Sequence, residues 1–351
     1  MEEALRVAVI GCGQIGQGHH IPSLQKIKDV ELVAVCDTDI NLAKETARKF
    51  NISSYYTDIS EMLGLEKLDI VDICTPPQTH RSLCIQAAEA NCHVLLEKPM
   101  ALSLKEAGEM AEVAEQNNIK IGTVHNKLFE PVMMKALTMV NMGVVGDMVG
   151  MDIQVLHSKR RSAVMLMNKE HWCHNLPAGI LGETLPHPLY LAAAFMGKLE
   201  PVRVYSRKLC NYDWVIADEI KIILNSERCT GTISFACNSP QSKTIIDIHG
   251  TKKHLRVDLF NSAMTEYGSG TGTIPSRAFE NLGQCYSILA NSLSAALKVI
   301  SGQFRQGHHT LIKRFVESIR YNTEPPVTLE EARDVTEAIE KITAQIRTIS
   351  G

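Results

Sequence analysis

The chain has 351 residues, 45% of them hydrophobic, and 36 Lys and Arg stand against 39 Asp and Glu for a formal net charge of −3. At about 150 residues per domain, this length predicts two domains. With no long basic run to neutralise phosphates, the balance argues against a nucleic-acid partner.

The first strand-like run begins at Leu5, directly after Met1-Glu2-Glu3-Ala4. That leaves no room for a charged region and an apolar signal core, so the protein is expected to stay in the cytoplasm. The most apolar later stretch, Cys285 to Ile300, is broken by Ser287, Asn291, Ser292, Ser294 and Lys298 and is too short and polar to span a bilayer. The ten cysteines form no C-x-x-C pair, and Cys36, Cys74, Cys84 and Cys237 sit inside apolar runs as small buried hydrophobes. The cluster His171-Trp172-Cys173-His174 does not match the usual zinc spacings, and no metal is expected.

From Leu5 to about Thr123, the runs LRVAVI, ELVAVC, SSYYT, LDIVDI, CHVLLE and KIGTV alternate with amphipathic stretches at Asn41 to Phe50, Thr79 to Ala90 and Ser103 to Asn117. Short apolar runs joined by helical crossovers predict a parallel, doubly wound sheet. Pro22 interrupts the helix expected after the first strand, so a short helix or a kink is predicted there, with His19 and His20 read as structural.

After Asn126 the pattern changes. A helix near Pro131 to Met142 leads into MVGMDIQVLH, PVRVYSRKL, DEIKIILN, CTGTISFAC, KTIIDIHG and HLRVDLF, several with period-two alternation, which predicts an open, mostly antiparallel sheet. One helix, Glu183 to Met196, interrupts them. Tyr267 to Ser276 reads as a flexible loop and Phe279 to Gln303 as an amphipathic helix. Terminal helices are predicted at His308 to Arg320 and Leu329 to Ile349, the second opened by a capping box from Thr328 to Glu331. The predicted domains are 1–124, a Rossmann domain, and 125–351, an α+β domain whose terminal helix packs back towards the first.

Gly11-Cys12-Gly13-Gln14-Ile15-Gly16 follows the first strand and opens a helix, the context in which this motif binds a dinucleotide. The first glycine permits the turn, the second admits the pyrophosphate, and the third allows close helix packing beneath amides that face the anion. Asp37, at the end of the second strand and followed by Thr38, can accept both adenosine ribose hydroxyls and repel a 2′-phosphate, favouring NAD over NADP. The alternative role for Asp37 is a helix cap. Thr75, Pro76 and His80 close the fourth strand, and Glu97 and Lys98 the fifth, all at the carboxyl edge where such sheets bind ligands. A lysine beside a nicotinamide is a plausible proton donor or acceptor. Glu183 and His187, four apart on one helix face, make an acid/base pair, or equally an ion pair at the surface.

Taken together, the glycine motif after VAVI, the AVCD strand end, TPPQTH, LLEKPMA and the closing FVESIRYNTEPPVTLEEA resemble the glucose-fructose oxidoreductase, inositol dehydrogenase and rhizopine-catabolism (Gfo/Idh/MocA) family over nearly the whole chain. The resemblance implies a Rossmann domain followed by an open-sheet domain, with cofactor and substrate between them, commonly in a dimer or tetramer. It implies that Lys98 and His187 are catalytic, with Glu183 standing where an orienting aspartate is usual and Tyr190 where many members carry a second aspartate. Asn126, Trp172, His174 and Tyr190 are candidates for substrate contact. The function expected is hydride transfer between NAD and a secondary alcohol or ketone of a sugar, cyclitol or polyol. The alternatives are reduction of a dihydrodiol or imine, or an NAD-sensing regulator, which the presence of both Lys98 and His187 disfavours.

Overall fold

The structure is a computed structural model that describes residues 3–268 and 307–350, together with 274, 278, 281–286, 288–290, 293 and 297. Most of the expected loop up to Ser276 and of the expected helix Phe279 to Gln303 lies outside the described residues. By its internal contacts the chain divides into two compact units, Met1–Asn126 with Gly307–Glu337, and Lys127–Gln306 with Ala338–Gly351. The helices Gly307–Arg320 and Leu329–Ser350, expected with the second domain, are thus wholly and partly in the first unit.

The first unit is built on six parallel strands in the order β3-β2-β1-β4-β5-β6: β1 (Leu5–Ile10), β2 (Val30–Cys36), β3 (Ser54–Tyr56), β4 (Ile70–Ile73), β5 (His93–Leu96) and β6 (Ile121–Thr123). The order reverses between β1 and β4, which opens a crevice at their carboxyl ends. Helices cover both faces, so β4 is buried at every position, its Asp72 included. The crossover helices begin where local side chains satisfy the first amides. Asp39 accepts from Asn41 and Leu42 at the head of Ile40–Phe50, and Ser103 accepts from Glu106 ahead of Leu104–Gln116. Asp58 caps Ile59–Leu65, a helix too short to show a period in the sequence. As Pro22 predicts, the first crossover is short: a π-helical turn Gly16–His20 and then only Ile21–Leu24. Thr328 and Glu331 exchange backbone bonds as a capping box, at 2.8 and 3.2 Å. At Gly122 a Cβ would stand 2.6 Å from the buried Phe315 ring, so only glycine lets the helix Gly307–Arg320 pack this closely on β6.

The second unit holds a seven-stranded sheet in the order β13-β12-β11-β7-β10-β9-β8: β7 (Met148–Ser158), β8 (Glu200–Arg207), β9 (Glu219–Asn225), β10 (Thr230–Ser239), β11 (Lys243–Gly250), β12 (Lys253–Asp258) and β13 (Ala263–Gly268). Every pairing is antiparallel except β7 with β10. Alternation sorts the faces: Met151, Ile153 and Val155 of β7 and Ile220, Ile222 and Leu224 of β9 are buried, while Asp152, Lys221 and Ile223 are exposed. The strand β13 and the helix Lys159–Leu166 were not expected. The single helix expected over Glu183 to Met196 is two, Ile180–Thr184 and Pro186–Met196. Leu185 keeps helical angles, but Pro186 and Pro188 have no N–H to give to the preceding turn, so the ladder breaks there.

Candidate active site

The glycine turn is built as its spacing requires. Gly11 has φ +98°, and a Cβ there would stand 2.8 Å from the Cys74 backbone; at Gly16 it would meet the Gly11 oxygen at 2.3 Å. Gly13 has nothing within 4 Å of its missing Cβ, and Gly13, Gln14 and Ile15 are exposed, so a phosphate can approach the backbone there. Asp37 is tied to this turn: Oδ2 accepts from the Cys12 amide at 2.8 Å and Oδ1 from Asp39 at 3.0 Å. The helix-cap role falls to Asp39 instead, while Thr38 beside it is exposed. The residues present therefore fit a dinucleotide: an open glycine backbone for the pyrophosphate and a half-buried carboxylate for the ribose.

At the neighbouring strand ends, Thr75 is half-buried, its hydroxyl 2.7 Å from that of Thr79, and Pro76 is exposed. His80 is turned inward, its ring nitrogens 3.0 Å from the Pro99 carbonyl and 2.9 Å from that of Thr75, so it braces the β4 loop against the β5 loop. Burial lowers its pKa. Glu97 is buried too. Its Oε2 accepts from the Lys98 amide at 3.1 Å, and its Oε1 lies 3.0 Å from Nε2 of His20. Burial alone would raise the Glu97 pKa; the hydrogen bond and charge of His20, with His308 and Lys98, draw it down to about 2. Lys98 itself is half-buried.

In the second unit, Glu183 and His187 are the two positions between Ala178 and Ala192 that are not buried, so they share the one accessible side of this segment. Nδ1 of His187 is 2.9 Å from the Tyr190 hydroxyl, which also accepts from the Lys127 amide at 3.2 Å. Tyr190 is 1% exposed, and its hydroxyl is engaged with His187. Trp172 and His174 lie on the turn Trp172–Asn175, the first partly exposed, the second held by Nε2 donating to the Met165 carbonyl at 2.7 Å. Asn126 belongs to the first unit, with Nδ2 3.4 Å from Nδ1 of His308.

Residues 5–125 match the model of the oxidoreductase family with an NAD-binding Rossmann fold, Gfo/Idh/MocA. Among curated relatives, Oxidoreductase P35 of Formosa agariphila is 24% identical over 288 residues, 80% of this chain and 87% of its own. The D-glucoside 3-dehydrogenase of Escherichia coli K12 is 39% identical over 112 residues, 32% of each chain. Residues 5–125 therefore carry the NAD-binding Rossmann fold of the Gfo/Idh/MocA oxidoreductases. The fold of the chain extends the match: the crystal structure of the WlbA dehydrogenase from Bordetella pertussis, in complex with NADH and UDP-GlcNAcA, superposes with a TM-score of 0.80 over 99% of this chain and 97% of that one, at 19% identity.

In the first unit, the sequence reads His20 only as structural and does not single out Asp72 or His308; in the fold Asp72 and Glu97 flank His20, and His308 Nε2 lies 3.8 Å from Glu97 Oε1. One signal was present: an aspartate inside the buried run IVDI needs a partner. Which residue supplies it depends on folding.

Proposed function

We propose that the protein is a dehydrogenase that exchanges hydride between NAD and a secondary alcohol or ketone on a sugar, cyclitol or related polyol, working as a homodimer or homotetramer. The observation that carries this reading is the exposed glycine turn with Asp37 pinned to it, on the same sheet edge as Lys98. Gly11, Gly13 and Gly16 would hold the pyrophosphate of NAD and Asp37 the adenosine ribose, with the carboxylate repelling the extra phosphate of NADP. NAD, when bound, takes up or supplies the hydride.

The residues of the chain handle the proton. Lys98 and His187 are the two groups able to take it from, or return it to, the substrate hydroxyl. With the Tyr190 hydroxyl donating to Nδ1, a neutral His187 ring carries its proton on Nε2. Glu183 stands four residues earlier on the same accessible side, and the hydrogen bond that fixes Nδ1 of the ring comes from Tyr190. The named relative acting on a D-glucoside supports the substrate class.

A panel of polyols and glycosides, followed by NADH absorbance, tests the reading. Lys98→Ala and His187→Ala are each expected to lower turnover by about 10² to 10⁴, with NAD affinity unchanged because the glycine turn and Asp37 are intact. Near-native rates in both variants would remove Lys98 and His187 from the chemistry. Tight NAD binding without turnover on any panel member would favour a regulator.

A further inference from the structure

His20 ends the π-helical turn that follows the glycine motif and is 0% exposed, yet both ring nitrogens meet carboxylates. Nδ1 lies 2.8 and 3.0 Å from the two oxygens of Asp72, and Nε2 lies 3.0 Å from Glu97 Oε1. A neutral ring carries one proton and would turn a lone pair on one of these oxygens at hydrogen-bond distance. Only the doubly protonated ring donates to both. Burial alone would lower the pKa of His20, but Asp72 lifts it well above the ordinary histidine value.

Spacing alone would also let His20, Glu97 and His308 hold a metal ion. The hydrogen bonds argue for a proton instead. With the Asn126 amide nitrogen donating to Nδ1 of His308, the neutral His308 ring has its proton on Nε2, 3.8 Å from Glu97 Oε1, and presents N–H rather than a lone pair. Burial pushes His308 down to about 3 and His125, which also feels Glu97, to about 3. Cys74, 3.8 Å from Asp72, is pushed up to about 12, again chiefly by burial. His19 stacks on His308 with ring centroids 4.3 Å apart. Of the groups facing His20 from the glycine-turn segment, β4, the β5 end and the helix Gly307–Arg320, the charged ones are therefore Asp72, Glu97 and the nearby Lys98.

We infer that His20 is a positioning residue: a buried imidazolium locked between Asp72 and Glu97, it holds the carboxylate that accepts from the Lys98 amide and sets the net charge beside the Lys98 ammonium. This rests on the reading of Lys98 as a proton-exchanging group. His20 and Lys98 balance Asp72 and Glu97 two against two. Removing the charge of His20 leaves Lys98 beside one excess negative charge, and its proton is held more tightly. Removing the charge of Asp72, with His20 kept a cation by its contact to Glu97, leaves one excess positive charge, and the proton is released more easily. A unit charge about ten ångströms away at an effective dielectric of about 20 moves a titration by on the order of one pH unit.

Two NMR measurements on the full-length protein test this without a substrate. In wild type labelled with ¹⁵N-histidine, the His20 signals, assigned by their loss in His20→Gln, should show both ring nitrogens protonated and unchanged from pH 6 to pH 9. A neutral tautomer in that range, or stoichiometric metal in the purified protein by elemental analysis, overturns the inference. After reductive ¹³C-methylation, with Lys98 assigned by Lys98→Ala, its titration midpoint should rise by about one pH unit in His20→Gln, fall by a similar amount in Asp72→Asn, and return to within a few tenths in the double variant. Loss of packing alone would not produce opposite shifts that cancel, so shifts of one sign, or none, overturn the charge role. If the single variants do not fold, the wild-type spectrum and the neutral double variant still decide it. Turnover retained by Lys98→Ala would sink the catalytic reading and leave the charge clamp standing on its spectra; an inactive Lys98→Ala with an unmoved titration would sink the clamp alone.

Discussion

Each unit buries a histidine, and the two end in opposite charge states. His20 of the first unit lies between two carboxylates brought by β4 and by the end of β5. His157 of the second, on β7 and 6% exposed, lies edge-on to Phe235 with ring centroids 5.0 Å apart, and its Nδ1 has no hydrogen-bond partner. Burial, then Arg161 and Lys127, push His157 down to about 3. The burial penalty acts on both; what differs is the charge that the neighbouring strands deliver. A buried histidine is thus a cation or a neutral ring according to its partners, and residue type does not decide which.

The largest break in this contrast should come from His20→Leu. It leaves Asp72 and Glu97 buried without their shared cation, and removing one partner of a buried ionic group costs about 3–5 kcal/mol; urea unfolding at pH 7 measures it. A loss below about 1 kcal/mol would mean that the carboxylates had shed a charge or gained water instead.

The pH dependence is smaller and has opposite signs at the two histidines. The folded pKa of His157 is depressed, so its stabilising contribution is present above the unfolded value near 6.5 and is lost as pH falls towards 3. Between pH 7 and pH 5 that amounts to about 2 kcal/mol. The folded pKa of His20 is raised, so its contribution is complete below about 6.5 and disappears only as pH rises through its elevated folded value. His20 therefore does not offset the acid-side loss. Unfolding midpoints at pH 7 and pH 5 should show a drop in wild type that shrinks by about 2 kcal/mol in His157→Leu; an unchanged drop would mean that His157 is charged in the fold.

The smallest effect is His157→Leu at pH 7 itself. The change removes a buried ring nitrogen without a partner, and the expected result lies within about 1 kcal/mol of wild type. A loss matching that of His20→Leu, read from the same urea curves, would erase the distinction between the two sites.

The cofactor side of the candidate site was legible because its signals are contiguous: three glycines within six residues after a strand, and a carboxylate at the end of the next strand. The acid/base side was legible only in part. Glu183 and His187 do share the accessible side of their segment, but the hydroxyl that His187 meets belongs to Tyr190, whose place the sequence assigned to substrate. The helix between them is broken because Pro186 and Pro188, on either side of His187, withhold two amide donors, a break that an apolar period does not register.

What the sequence determined by itself was whatever depends on neighbours along the chain: strand and helix periods, the glycine turn, the capping box, and the change from a doubly wound pattern to an alternating one. Tertiary structure alone decided the parallel pairing of β7 with β10, the return of the helix Gly307–Arg320 to the first unit, and the clamp on His20, whose partners lie 52 and 77 residues away. Backbone propensity acts over a few residues, whereas the charge of a buried group is set within a few ångströms by whichever strands the fold brings alongside it.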